Sequence, residues 1–215
     1  MTLRALDLFS GAGGAARGLQ QAGYHVTGVD IKPQPHYRGD RFIQGDAMIV
    51  DLAGYDLIWA SPPCQKYTSL AALHPNKEYP DLIAPVRERL IATSTPWIIE
   101  NVPGAPMHYY ITLCGTMFGL RVYRHRRFET SMMLWQPEHP PHTVRAGGHK
   151  SQRQRKAHYM AGGFVTITGN VGSYCGPAMG IDWMTGEELS QAIPPAYSRF
   201  LAEQVQQALC QRSAA

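Results

Sequence analysis

The chain has 215 residues, of which 44% are hydrophobic and 17% are charged. This composition is typical of a globular protein with a sizeable core and excludes wholesale disorder. The formal net charge is +4, and no apolar run approaches the roughly 18–20 residues that a membrane span requires.

The predicted elements alternate between strands and helices through the first half of the chain. Met-Thr-Leu-Arg leads straight into the first strand, so we expect a cytoplasmic protein without a signal peptide. Strands are predicted at 3–9, 25–30, 41–43, 55–60 and 96–100, and helices at 15–22 and 81–92. This alternation predicts an α/β fold with a largely parallel sheet, which binds ligands beyond the carboxyl ends of its strands.

The second half of the chain is less regular. Residues 136–178 are rich in Pro, Gly, His and basic residues, and only 164–168 resemble a strand. A helical pattern returns at Glu187, is interrupted by Pro194 and Pro195, and resumes over 196–211. We therefore expect a main domain over 1–135, a small irregular lobe inserted at 136–178, and a segment over 179–215 that returns to the main domain.

The positive charge is concentrated in one segment. Between Arg121 and Lys156 there are nine basic residues against Glu129 and Glu138, a net charge of +7 that leaves −3 for the rest of the chain. Such a segment is typical of a polyanion-binding protein, and it is equally typical of a solvated surface loop. Charge alone leaves both interpretations open.

The four cysteines do not follow a disulfide or zinc pattern. Cys64, Cys114, Cys175 and Cys210 lie far apart, and none forms a Cys-x-x-Cys pair or a Cys/His cluster at zinc spacing. The sequence therefore predicts no disulfide scaffold and no metal site.

A glycine-rich turn follows the first predicted strand. The residues from Asp7 to Gly14 read Asp-Leu-Phe-Ser-Gly-Ala-Gly-Gly, which allows a ligand to approach the backbone or simply makes a tight turn. Asp30 ends the second strand and Asp46 follows the third. Each is also a reasonable helix cap, but together they indicate an adenosine-type cofactor, with carboxylates that accept from ribose hydroxyls and an adenine amino group.

Two further strand ends carry reactive side chains. Ser61-Pro62-Pro63-Cys64-Gln65 follows the fourth strand, and its prolines stiffen the loop so that Cys64 is a candidate nucleophile, although a structural loop cysteine has the same pattern. Glu100 ends the fifth strand, and two strand ends of one sheet can bring it near Cys64, where a buried glutamate would act as an acid. Arg124 and Arg126 share one face of an extended segment, which suits a phosphate or carbonyl oxygen, although a solvated arginine run has the same pattern.

The order of these motifs is similar to that of a known family. Asp7-Leu8-Phe9, Pro62-Pro63-Cys64-Gln65 and Glu100-Asn101-Val102 resemble the DNA (cytosine-5)-methyltransferases over residues 3–130, and the resemblance returns at 179–209. It implies a Rossmann-like S-adenosylmethionine-dependent methyltransferase fold with a small irregular recognition lobe. It also implies DNA as the partner, with neither a membrane nor an obligatory protein partner.

The resemblance assigns roles residue by residue. Cys64 is expected to attack C6 of a flipped cytosine, Glu100 to contact N3 and the exocyclic amine, and Arg124 and Arg126 to lie beside the base. The residues expected to bind S-adenosylmethionine are Phe9, Gly11, Gly13, Asp30, Ile31, Asp46, Ala47, Pro63 and Gln191. Those expected to contact DNA are Gln65, Arg145, Lys150, Arg153, Arg155 and Lys156.

Two departures from the family pattern modify these expectations. The region between Phe128 and Met179 is short for a target-recognition domain, which predicts short or relaxed sequence specificity and is similar to small phage-encoded members. Ser190-Gln191 replaces the family's Gly-Asn, which leaves open a modified donor such as a carboxymethyl donor. The sequence is also compatible with an RNA cytosine methyltransferase and with a catalytically silent DNA-binding protein.

Overall fold

The computed structural model describes residues 2–68, 76, 78–146, 151–167 and 171–213. The strands are β1 (Arg4–Leu8), β2 (His25–Asp30), β3 (Arg41–Gln44), β4 (Leu57–Ala60), β5 (Trp97–Asn101), β6 (Tyr110–Leu113), β7 (Val122–Tyr123), β8 (Arg126–Thr130) and β9 (Val165–Thr166). The helices are α1 (Gly14–Gln21), α2 (Ile83–Ile91), α3 (Gln152–Met160), α4 (Cys175–Met179), α5 (Gly186–Gln191) and α6 (Pro195–Ser213).

Seven strands form one mostly parallel sheet in the order β3-β2-β1-β4-β5-β8-β6. The first five run parallel, whereas β8 lies antiparallel to both β5 and β6. The chain moves from β1 outward to β3 and then returns to the other side of β1 as β4. This reversal opens a crevice at the carboxyl ends of β1 and β4, where such sheets bind their ligands. The predicted Rossmann-like α/β fold is confirmed.

Two hydrophobic cores cover the two faces of this sheet. On one face α1 and α6 pack through Leu19, Tyr197 and Leu201 against strand residues such as Trp59. On the other face α2 packs through Val86 and Leu90 against Leu6, Ile58 and Ile99. Alternate residues of each strand thus enter opposite cores, as the period of two along a strand requires.

Helices α1 and α6 approach each other unusually closely. A Cβ atom at Gly18 would overlap the backbone oxygen of Pro195 and the hydroxyl of Ser198. The Ser198 hydroxyl also donates to the carbonyl of Ala15 at 2.8 Å. Glycine is therefore required at this crossing, and the last helix is tied to the first.

The lobe has a hydrophobic core of its own. Strands β7 and β9 pair in parallel, and this pair packs with α3, α4 and α5 around Val122, Tyr159, Val165 and Met179. Because this third core reaches from Val122 to Leu189, its residues lie on both sides of the predicted boundaries at 135 and 178. The division into three segments stays a prediction.

The helix α3 was not among the elements that the periodicity predicts. It begins with a capping box, because the hydroxyl of Ser151 accepts from the amide of Gln154 and the Gln154 side chain accepts from the amide of Ser151. Ser-x-x-Gln is a sequence signature of such a start. In the described part of the chain, no helix is long and apolar enough to cross a membrane.

Candidate active site

The glycine-rich turn joins β1 to α1 at the crevice. Phe9, Gly11 and Gly13 have φ angles of 59°, 49° and 84°, in the left-handed region that favours glycine. The amide of Ser10 donates to the carbonyl of Val29 at 3.1 Å, and the amide of Gly11 donates to Asp30 Oδ2 at 2.9 Å. The turn is thereby bound to the carboxyl end of β2.

The two predicted cofactor carboxylates lie at neighbouring strand ends. Asp30 Oδ1 accepts from the amide of Lys32 at 3.0 Å, and Asp46 Oδ1 accepts from the amide of Met48 at 2.8 Å. A carboxylate has about four acceptor positions, so both side chains keep acceptors for a ligand. Ile31, beside Asp30, is 69% exposed. Carboxylate acceptors, a glycine turn and an exposed apolar side chain together fit an adenosine-type group.

The C-terminal segment borders the same turn. Trp183 Nε1 donates to the carbonyl of Ala12 at 2.9 Å. A Cβ atom at Gly14 would lie 2.8 Å from the backbone oxygen of Ile193, so the two segments touch and glycine is needed there. Gln191 ends α5 just before this contact and is exposed.

The Pro-Pro-Cys loop is tied to the strands on both sides of it. The amide of Ser61 donates to the carbonyl of Leu8 at 3.1 Å, and Asn101 Nδ2 donates to the carbonyl of Pro62 at 2.9 Å. Cys64 caps a short 3-10 turn and is half-buried with a free thiol. These bonds hold the loop that carries Cys64 to the carboxyl ends of β1 and β5.

Glu100 and Arg126 form a buried ion pair next to this thiol. Arg126 Nε lies 3.0 Å from Glu100 Oε1, and Glu100 is only 7% exposed. Burial raises the pKa of Glu100, while the nearby guanidinium groups and a hydrogen bond with Ser61 oppose that rise. Burial also raises the pKa of the Cys64 thiol, the negative charge of Glu100 raises it further, and Arg126 and Arg124 lower it. The four predicted catalytic groups therefore form one electrostatic cluster.

Arg124 connects this cluster to the lobe and to the C-terminal segment. It is 3% exposed, and its guanidinium donates to the carbonyls of Ile167 at 3.2 Å and Ser190 at 2.9 Å. Burial lowers its pKa to about 9, and the charge of Arg126 contributes to the decrease. A solvated arginine run is therefore wrong for Arg124 and Arg126, because both side chains are enclosed by neighbouring segments.

The predicted DNA-contacting residues are spread over the lobe and the Cys64 loop. Arg153 and Lys156 are exposed on α3, and Arg155 is half-buried on the same helix. Arg145 is exposed on a loop and Gln65 is exposed in the 3-10 turn after Cys64, whereas Lys150 lies outside the described residues. Their role in DNA binding stays a prediction.

The sequence analysis does not predict two groups of side chains in this region. Arg87 forms a buried bidentate pair with Glu129, at 2.6 and 2.8 Å, and Glu129 also accepts from the amide of His108. This pair joins helix α2, which carries Arg87, to strand β8, which carries Glu129. The second group brings Cys114, His125, His139 and His142 together, at a sequence spacing that does not predict a metal site.

The fold and the site define a class of protein, and comparisons with known proteins agree. A crystal structure described as a DNA modification methyltransferase of an E. coli prophage aligns with a TM-score of 0.68 at 13% identity, covering 96% of this chain and 99% of the other. S. pombe Dnmt2 aligns with a TM-score of 0.61 at 14% identity and the same coverage. Entamoeba histolytica EhMeth aligns with 0.56 at 13% identity, covering 97% and 99%. The fold is thus that of the S-adenosylmethionine-dependent methyltransferases.

The family follows from the sequence profile. The profile of the C-5 cytosine-specific DNA methylases matches residues 3–111, just over half of the chain. The chain therefore belongs to that family and is an S-adenosylmethionine-dependent DNA (cytosine-5)-methyltransferase. No match was found among curated proteins.

Proposed function

We propose that the enzyme extrudes a cytosine from DNA and methylates C5 through a covalent bond between Cys64 and C6 of the base. The observation that carries this proposal is the convergence of the Cys64 thiol with the Glu100–Arg126 pair. The thiol lies on a stiff loop at the crevice, next to the strand end that carries the glycine turn. Cys64, Glu100 and the glycine turn thus lie at the same edge of the sheet, which the carboxyl ends of the parallel strands form.

The residues around the glycine turn fit S-adenosylmethionine, which supplies an electrophilic methyl group when bound. Asp30 would accept from the ribose hydroxyls and Asp46 from the adenine amino group, because both keep free acceptor positions. Phe9, Gly11, Gly13, Ile31, Ala47 and Pro63 would line the remaining surface. Gln191 would border the donor end, where its segment meets the turn.

In the proposed reaction the Cys64 thiolate forms a bond to C6, and the electron pair of the C5–C6 double bond becomes available at C5. Glu100 donates a proton to N3 and accepts from the exocyclic amine, which limits the negative charge on the ring. Arg124 and Arg126 stabilise charge that remains on the O2 carbonyl oxygen of the base. After C5 is methylated, its proton leaves to water and the C6–S bond breaks, which regenerates the thiolate, and the proton on N3 returns to Glu100.

Glu100 and Cys64 are coupled through their charges. Burial favours the protonated form of Glu100 by raising its pKa. Once that carboxyl is neutral, it no longer raises the pKa of Cys64, so only burial opposes the lowering of the thiol pKa by the two arginines. A proton on Glu100 thus provides the acid for N3 and at the same time favours the nucleophilic thiolate.

We further propose that residues 136–178 act as a short DNA-recognition insertion on the catalytic domain formed by 1–135 and 179–215. The exposed Arg153 and Lys156 share one face of α3, which suits phosphate contacts, and Arg145, Lys150, Arg155 and Gln65 would add to them. Phosphate contacts fix register without reading bases. They would offset the few kcal/mol that base extrusion costs, with short or relaxed sequence specificity.

Reaction with DNA containing 5-fluorocytosine tests the covalent step, because the fluorine blocks the final loss of a proton from C5. We expect a denaturation-resistant adduct that carries one methyl group, seen by mass spectrometry. Cys64→Ser should form none, and the exposed-cysteine control Cys210→Ser should form it normally.

The same experiment separates this function from the competing ones. Turnover on ordinary DNA without an adduct, or an adduct that survives Cys64→Ser, would refute the proposed nucleophile. A larger transferred mass would indicate a modified donor. A trapped RNA but no trapped DNA would refute the DNA substrate, and cofactor binding without any turnover would indicate a silent protein.

A further inference from the structure

One cysteine and three histidines meet beside the end of β6 and the loop between β7 and β8. Cys114 follows β6, His125 lies between β7 and β8, and His139 and His142 lie on the segment that leads from β8 to the lobe. One ligand atom from each of the four lies within 4.8 Å of every other. Cys114 is buried, His125 and His139 are half-buried, and His142 is exposed. None of the four has a role in the proposed methyl transfer.

Two of the distances within this cluster match the edges of a coordination tetrahedron. Cys114 Sγ lies 3.5 Å from His142 Nε2, and His125 Nε2 lies 3.1 Å from His139 Nε2. A tetrahedral zinc ion with Zn–S of about 2.3 Å and Zn–N of about 2.0–2.1 Å separates sulfur from nitrogen by about 3.6 Å and two nitrogens by about 3.3 Å. Both pairs are thus already at the separations that one shared ion requires.

Neighbouring side chains hold the histidine rings in place. The ring of Tyr123 stacks on His142 with centroids 3.7 Å apart and planes 15° apart. The Tyr123 hydroxyl donates to the carbonyl of Val144 at 2.6 Å, which fixes Tyr123 to the segment that carries His142. His125 and His139 stack at 5.2 Å and 13°. Such outer contacts orient ligands and strengthen metal binding.

The donor set indicates the metal. A thiolate and three imidazoles are typical ligands of zinc. Magnesium and calcium bind oxygen ligands, which this cluster does not offer. Four protein ligands fill a tetrahedron and leave no position for water, which is the pattern of structural rather than catalytic zinc.

We propose that Cys114, His125, His139 and His142 bind one Zn²⁺ ion that fastens residues 131–146 to the end of β6 and to the β7–β8 loop. His125 stands between the two active-site arginines, and Arg126 Nη1 donates to the His125 carbonyl at 2.8 Å. The ion therefore anchors the loop that presents Arg124 and Arg126, and it joins the lobe to the catalytic sheet.

Metal analysis of the full chain tests this site independently of the methyltransferase reaction. We expect one equivalent of zinc in the purified protein, removable by a chelator and restored by titration with Zn²⁺. Co²⁺ should replace it with the visible absorption of a tetrahedral site and a thiolate charge-transfer band. Removal of the metal should expose residues 131–146 to proteolysis.

Ligand variants locate the ion. His139→Ala and His142→Ala should weaken zinc binding by more than the roughly 10–100-fold cost of losing an outer-shell partner. The exposed residues His108 and Cys210 provide controls, because His108→Ala and Cys210→Ser should keep one equivalent. These histidine variants are preferred to Cys114→Ser, because Cys114 is fully buried and its replacement tests folding as well.

Two results would overturn the proposal. One is a wild-type chain that takes up neither Zn²⁺ nor Co²⁺ at stoichiometric concentration. The other is a folded His139→Ala/His142→Ala variant, checked by circular dichroism, that binds zinc as tightly as the wild type. If the double variant does not fold, a wild-type Co²⁺ spectrum without the thiolate band is sufficient to reject the site.

Discussion

Glu100→Gln separates the acid role of this residue from its effect on Cys64. The substitution keeps the shape of the side chain and removes both its charge and its proton. A positioned general acid contributes about 100- to 10,000-fold to a rate, which corresponds to roughly 3–5 kcal/mol at 1.36 kcal/mol for each factor of ten. We expect turnover of Glu100→Gln to fall by that factor, with cofactor affinity nearly unchanged.

The same substitution should make the Cys64 thiol more reactive. The negative charge of Glu100 raises the pKa of Cys64, so its removal lowers that pKa and increases the thiolate fraction at neutral pH. Arg126→Gln should have the opposite effect, because the guanidinium group lowers the pKa of Cys64. It should also cost about 3–5 kcal/mol of stability, because it leaves Glu100 as an unpaired buried charge.

The assay is alkylation by iodoacetamide as a function of pH, followed by mass spectrometry. It is best made in a Cys210→Ser background, because Cys210 is exposed whereas Cys114 and Cys175 are buried. In Glu100→Gln we expect faster alkylation together with slower methyl transfer. An unchanged or raised thiol pKa in that variant, or normal turnover, would refute the proposed coupling.

Three further predictions concern the sheet, the helices and the lobe. The pKa of Asp7 is raised by burial, so the wild type loses stability as pH rises above the unfolded pKa of this carboxyl, roughly 3.9. Asparagine does not titrate, so urea unfolding should show a larger gain in stability of Asp7→Asn over wild type at pH 8 than at pH 5. The same difference between the two proteins at both pH values would contradict this. Gly18→Ala should lower the free energy of unfolding by about 1–3 kcal/mol or more through overpacking, whereas Arg17→Ala, exposed on the same helix, should not. Arg153→Ala/Lys156→Ala should weaken DNA binding on all sequences and reduce the slope of log K against log salt by about 0.9 per lost phosphate contact; an unchanged slope would contradict their role.

Much of the site can be predicted from the sequence, because the residues that indicate it are neighbours in the chain. A hydrophobic run, the turn residues after it and the first reactive side chain are neighbours in the chain, as in Ser61-Pro62-Pro63-Cys64. A parallel sheet brings such strand ends to one edge. The bounds of β1 to β5 and the glycine turn were therefore predicted to within a few residues, whereas β6, β7 and β8 were not predicted as strands. Cys64 and Glu100 were expected to lie close together.

The remaining features depend on contacts between distant parts of the chain. Strand β8 runs antiparallel to β5 with Glu100 opposite Phe128, and this register is what brings Arg126 to Glu100 and leaves Glu129 to pair with Arg87. A shift of one residue would turn these side chains to the other face. The Cys114–His125–His139–His142 cluster likewise exists only because β6, the β7–β8 loop and the segment after β8 pack together. Periodicity and turn chemistry are properties of short stretches, whereas pairing and packing are decided by the whole fold.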